Sequence, residues 1–251
     1  MNRILSLLVL AFVSSASAQG QNEPTHLFIL SGQSNMAGMK PEKGFQQEAE
    51  KLFGNVAYIK VARGGQPIRY WVKDWDKIAA KHGIDVASKR AKDKNKGTLY
   101  YQPILDQFAS LLKKHPNPAS VTFCWMQGER DAKEKLHAAY TDSMKQLIED
   151  LRRDLKQPNM YFVIGRLSDF GKPDYEEWHA VRRAQVDVAN GDERGAWVDC
   201  DDLNNKKNKN GEPRDNLHYT ADGYKLLGER YARQAKLMIA GKKPDENGRP
   251  E

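Results

Sequence analysis

Leu27-Phe28-Ile29-Leu30-Ser31-Gly32-Gln33-Ser34-Asn35-Met36 joins a short apolar run to a polar turn, and this junction decides how the chain is read. An apolar run of that length ending at a glycine reads as a buried strand, with the polar residues falling just past its end. A serine held where a strand turns into a loop can be a nucleophile. Taken alone, Ser and Asn are equally ordinary turn and cap residues.

Three further blocks add to the first. Asp215-Asn216-Leu217-His218-Tyr219-Thr220-Ala221-Asp222-Gly223 sets an acid and a histidine three residues apart, directly ahead of a long helical pattern. A hydroxyl is a poor nucleophile at neutral pH, so an imidazole must take its proton and a carboxylate must orient that imidazole. Ser34, His218 and Asp215 fit those roles; a capped turn with a packed loop histidine is the plain alternative for the last two. Trp125-Met126-Gln127-Gly128-Glu129-Arg130-Asp131 follows the apolar run Val121-Thr122-Phe123-Cys124, and Ala62-Arg63-Gly64-Gly65-Gln66-Pro67-Ile68 follows Val56-Ala57-Tyr58-Ile59. Acyl transfer needs donors aimed at a developing oxyanion, which glycine N–H groups and a Gln amide can supply. The candidate donors are the Ser34 N–H, Gly64 or Gly65, and Gln127.

In these four blocks and their order, over roughly residues 26 to 235, the chain resembles the SGNH hydrolases, specifically the carbohydrate-esterase branch of sialate O-acetylesterases and plant-type acetyl xylan esterases. The resemblance implies Ser34 as nucleophile, Asp215 and His218 as the acid-base pair, and Gly64, Gly65 and Gln127 around the oxyanion. Gln127 stands where more widespread members carry Asn. Gln33, Asn35 and Glu129 are expected to support the site, Glu129 by hydrogen bonds to the oxyanion loop. The implied activity is removal of O-acetyl groups from carbohydrate without a cofactor. A silent carbohydrate-binding protein on the same scaffold, and an esterase for lipid or aryl esters, are the alternatives. Arg63, Arg69 and Trp71, close to the glycine block, are candidate sugar contacts because flat groups can cover a pyranose face, whereas Trp75 is expected to pack beneath the loop.

The first residues, with Arg3, the apolar stretch Leu7 to Val13 and the small residues Ala16-Ser17-Ala18, read as a secretory signal peptide. The expected mature protein starts near Gln19, is secreted or periplasmic, and has no segment long enough to span a bilayer. A linker over 19–25, one domain over 26–240 and a disordered tail over 241–251 complete the expected organisation. The formal net charge of +7 favours anionic partners, an anionic glycan before nucleic acid, for which no binding motif is present. Lysines and arginines concentrate in 81–97 and 203–214; the second segment abuts Asp215 and must emerge near the pocket. Solvated lysines are the commoner meaning of such runs. No metal site is expected, because the six histidines are scattered. Cys124 and Cys200 are expected to remain unbridged if a strand separates them.

Five runs read as strands: Leu27 to Leu30, Val56 to Val61, Val121 to Met126, Met160 to Ile164 and Ala196 to Val198. Helical periodicity lies between several of them: Ile104 to Leu112, Leu136 to Leu155, and a segment carrying Trp178, Val181 and Val188 behind an Asp174/Glu177 capping box. A last helix starts near Thr220. The alternation predicts an α/β fold, a three-layer α/β/α sandwich on a central five-stranded parallel sheet of SGNH or flavodoxin-like type. In it the polar blocks share the C-terminal sheet edge.

Overall fold

The computed structural model describes residues 24–251 except 92, 94–96 and 208. The expected leader 1–18, most of the linker, and Lys92, Lys94 and Lys96 lie outside the described residues.

The five expected strands form: β1 His26–Gly32, β2 Val56–Ala62, β3 Ser120–Met126, β4 Tyr161–Gly165 and β5 Gly195–Val198. They pair in parallel in the order β2-β1-β3-β4-β5. Leu27, Phe28, Ile29 and Leu30 are all fully buried, as are Phe123 and Trp125, because a parallel sheet is covered on both faces and cannot alternate apolar with polar. The helices are α1 Ser34–Gly38, α2 Phe45–Phe53, α3 Trp75–Lys81, α4 Val86–Arg90, α5 Tyr101–Lys114, α6 Glu129–Lys133, α7 Tyr140–Asp154, α8 Glu176–Asn190 and α9 Ala221–Ile239. Right-handed crossovers send α2 to one face, where it packs on α9, and α5, α7 and α8 to the other. The connection after β1 runs toward β2 and that after β3 runs the opposite way toward β4, so the loops leaving these two parallel strands diverge and open a crevice at their C-terminal ends.

Thr220 caps α9 as expected, its hydroxyl accepting from Gly223 N at 2.8 Å. The Asp174/Glu177 capping box does not form. Tyr175 occupies the N-cap position without a side-chain bond, because the turn closed by Tyr175 N on Lys172 O places Asp174 one residue too early, and Glu177 pairs with Lys135 instead. Cys124 on β3 and Cys200 just beyond β5 are separated by β4; both are buried and free.

Residues 241–251, expected to be a disordered tail, instead lie against the β5 edge. Asp199 N donates to Gly248 O at 2.8 Å, Asp245 exchanges hydrogen bonds with the Gln234 side chain, and Arg249 pairs with Asp199 at 2.8 Å. Polar composition conceals this contact, which satisfies buried groups of β5 and α9. The basic segment 81–97 is tied to acids: Lys81 and His82 meet Asp142 at 3.1 and 3.0 Å, and Arg90 meets Asp76 at 2.8 Å. The segment 203–214 contributes an antiparallel hairpin, β6 Asn205–Lys207 with β7 Pro213–Asp215, that the sequence pattern does not announce.

Candidate active site

Gly32 ends β1 at φ 144°, and a Cβ there would lie 1.9 Å from Met126 O, so only glycine permits the turn. Gln33 N then donates to the same Met126 O at 2.8 Å, locking the loop after β1 onto the end of β3. Ser34 follows as the first residue of α1 and is half-buried at the crevice. The loop after β2 closes beside it. Arg63 N donates to Gly32 O at 3.1 Å, and a Cβ on Gly64 would lie 3.6 Å from the Ser34 Cβ. Gly65, at φ 70°, faces open space. Gly64 is therefore the glycine that lies against Ser34.

The histidine loop is brought to the same place by Asn35. Its Nδ2 donates to Leu217 O at 3.1 Å and its Oδ1 accepts from Tyr219 N at 3.4 Å, so the residues on either side of His218 are held on the residue following Ser34. The Tyr224 hydroxyl, from α9, also donates to Asn35 Oδ1 at 3.2 Å. His218 itself is exposed. At the other end of the loop Thr220 N donates to Leu203 O at 3.0 Å, closing the neck from which the β6–β7 hairpin projects. Asp215 sits at the end of β7, its backbone paired with Asn205.

Glu129 and Asp131 form the buried floor. Glu129 Oε1 accepts from Asn35 Nδ2 at 2.9 Å, and burial pushes its carboxyl up to about 7. Burial likewise raises Asp131 to about 7; its Oδ2 accepts from Ile68 N at 3.0 Å and from Gln127 Nε2. Gln33 Oε1 accepts from Gln127 Nε2 at 3.1 Å and Arg130 N at 3.2 Å, joining the serine turn to the start of α6. Through these bonds Gln33, Asn35 and Glu129 connect the loops after β1 and β3 with the histidine loop, and Asp131 adds the loop after β2. Asp131 and Tyr224 were not singled out from sequence, although Asp131 lies one turn of helix beyond Gln127.

Gln127 is fully buried, and its amide nitrogen faces three acceptors: Gln33 Oε1, Gln66 O and Asp131 Oδ2. With two N–H groups so engaged, it acts here as a tie between loops. Two candidate sugar contacts are placed elsewhere. Arg69 is buried, bidentate to Asp93 at 3.0 and 2.9 Å and bonded to Glu134 at 2.6 Å. Trp71 is fully buried, its Nε1 donating to Ser31 Oγ at 3.0 Å. Both are held inside because the chain turns inward after Pro67, and neither presents a free face to a sugar. Trp75 is buried as expected, and Arg63 is exposed beside the Ser34 turn. Among the described residues no group of three or more His, Cys, Asp or Glu side chains converges as a metal site would.

A family model described as carbohydrate esterase, sialic acid-specific acetylesterase, matches residues 39–236. That span holds Gly64, Gln127, Asp215 and His218 and begins just after the Ser34 turn. Among solved structures the chain is similar to a protein of Arabidopsis thaliana, with a TM-score of 0.59 and 20% identity over 85% of this chain and 98% of that one. It is also similar to a carbohydrate acetylesterase from Xanthomonas citri, with a TM-score of 0.60 and 17% identity over 87% of this chain and 57% of that one. NanS gives a TM-score of 0.54 and 15% identity over 88% of this chain and 99% of that one. At these identities the likeness is one of fold. No curated protein sequence matches the chain significantly.

Proposed function

The chain belongs to the sialic acid-specific acetylesterase family of carbohydrate esterases, and from that premise we propose that it is a serine esterase removing O-acetyl groups from carbohydrate. The observation that carries this reading is the Asn35 clamp, which holds both neighbours of His218 on the residue next to Ser34. Two segments more than 180 residues apart in the chain thereby meet at one crevice.

In the proposed reaction Ser34 Oγ attacks the acetyl carbonyl carbon while His218 takes the hydroxyl proton. Collapse of the tetrahedral intermediate breaks the bond to the sugar oxygen, which leaves with that proton from His218. Water then attacks the acetyl-serine, one of its protons passing to His218, and acetic acid leaves as that proton returns to Ser34 Oγ, ionising to acetate in solvent. Asp215 holds the imidazole in the productive tautomer. The N–H groups of Ser34 and Gly64 stabilise the oxyanion, Gly64 being the nearer of the two glycines, and Gln127 sets the spacing of the loops that carry them. The cations Lys206, Lys207 and Lys209 on the hairpin that leads to His218 favour a substrate bearing an anionic group, and Arg63 beside Ser34 adds to the same field. The leader 1–18 directs the chain out of the cytoplasm; no helix among the described residues is long and apolar enough to cross a membrane.

Acetate release from a panel of O-acetylated neutral and acidic glycans, by the protein and its Ser34→Ala variant, tests the proposal. Release by the parent alone is expected. Glycan binding without release by either chain would instead make the protein a recognition module.

A further inference from the structure

Phe170 is the one large apolar side chain left exposed among the described residues, with 40% of its surface accessible. It lies on the loop leaving β4, at the same sheet edge as Ser34. β3 alone separates β4 from β1, and with neighbouring strands ~4.8 Å apart the chain leaves β4 roughly 10 Å from where it leaves β1 toward Ser34. That is the span of linked sugar rings, beyond the reach of a single acetylated residue.

The loop is pinned at several points. The Trp178 indole nitrogen donates to Ser168 O at 2.8 Å, and a Cβ on Gly171 would lie 2.6 Å from the Trp178 ring, so the backbone rests on that indole. His179 Nε2 meets Lys172 O at 3.1 Å. Asn204 Nδ2 donates to Ser168 Oγ at 3.3 Å and Asp169 Oδ1 at 3.2 Å, tying the loop to the residue that opens the β6–β7 hairpin. Phe170 packs against Trp178, with ring centroids 5.7 Å apart and planes at 59°. An apolar ring kept partly in water on a fixed backbone loses little entropy when a ligand covers it.

We propose that Phe170 is the platform of a second subsite, which stacks against a sugar ring of an oligosaccharide whose neighbouring unit presents its acetyl group to Ser34. The inference rests on the esterase reading for the position of the acetylated unit. It makes the preferred substrate a glycan chain rather than a free monosaccharide ester.

The test uses the full chain carrying Ser34→Ala, so that bound glycan is not turned over, alone and combined with Phe170→Ala or Phe170→Tyr. Calorimetric titration with O-acetylated xylotetraose and O-acetylated sialyllactose, and with the corresponding monosaccharide esters, reads the affinity. Phe170→Ala is expected to weaken binding of at least one oligosaccharide by about 3- to 10-fold, as loss of one aromatic contact implies. Phe170→Tyr should restore it, and monosaccharide binding, which also reports an intact fold, should not change. Equal losses for monosaccharide and oligosaccharide, no loss for either, or no oligosaccharide binding by the Ser34→Ala chain would each overturn the subsite. Failure of the active chain to release acetate would remove the esterase reading and leave these affinities to decide the subsite separately.

Discussion

Replacing Glu129 by Gln should raise stability at high pH and leave it nearly unchanged at low pH. The Glu129 carboxyl is buried under the site, accepts from Asn35 Nδ2, and is raised by burial from 4.5 to about 7. Between those values the folded chain holds a proton that the unfolded chain has released, so stability falls as pH rises through the window. A displacement of that size is worth about 3 kcal/mol, at about 1.4 kcal/mol per pH unit. Glutamine resembles the protonated acid and keeps an oxygen for Asn35. The variant should therefore match the parent near pH 4.5 to 5 and exceed it by about 3 kcal/mol once the parent carboxyl is ionised. Asp131, also raised to about 7, retains its own share of the pH dependence in the variant. Urea denaturation across this range measures the difference directly. Parallel stability curves for the two proteins would refute the argument, because they would mean that Glu129 releases its proton equally in both states.

Asn35→Ala removes the clamp on the histidine loop; kcat should fall on the order of 10²-fold with little change in KM, since misplacing a catalytic group by about 1 Å has that effect. A rise in KM alone would place Asn35 in substrate binding instead. Arg69→Met should destabilise the protein by about 3 kcal/mol, because buried Asp93 loses its bidentate partner and keeps the Tyr70 hydroxyl and the longer 3.3 Å contact to Arg90. Glycan KM should be unaffected at temperatures where that variant stays folded, and a selective KM effect would restore Arg69 as a sugar contact. Neutralising Lys206, Lys207 and Lys209 together should raise KM for anionic but not neutral acetylated glycans; equal effects would remove the anionic preference.

The central strands were legible because both of their faces are covered, so Leu27 to Leu30 is apolar throughout and Val121 to Met126 is apolar but for the buried Thr122. The polar blocks follow those runs directly, which is why Ser34, Gly64 and Gln127 could be assigned to one edge before the strand order was known. The β6–β7 hairpin left no such mark, since Asn205–Lys207 and Pro213–Asp215 show no apolar alternation and the hairpin adds no strand to the main sheet. Arg69 and Trp71 were misplaced for a related reason. A guanidinium beside a glycine block reads alike whether it faces a sugar or Asp93, and only the turn after Pro67 decides between them. The Gln127 amide is similar: its residue type suits an oxyanion, while its three acceptors come from residues as distant as Gln33. Composition also misjudged 241–251, whose polar residues find partners on Asp199 and Gln234.

The central claim is that His218 activates Ser34. Treating the protein with a fluorophosphonate and locating the adduct by peptide mass spectrometry tests it most directly, because an unactivated serine does not react appreciably. The account predicts a single adduct on the peptide containing Ser34, abolished in Ser34→Ala and reduced by orders of magnitude in His218→Ala. No adduct on Ser34, or one formed as fast without the His218 imidazole, would contradict it.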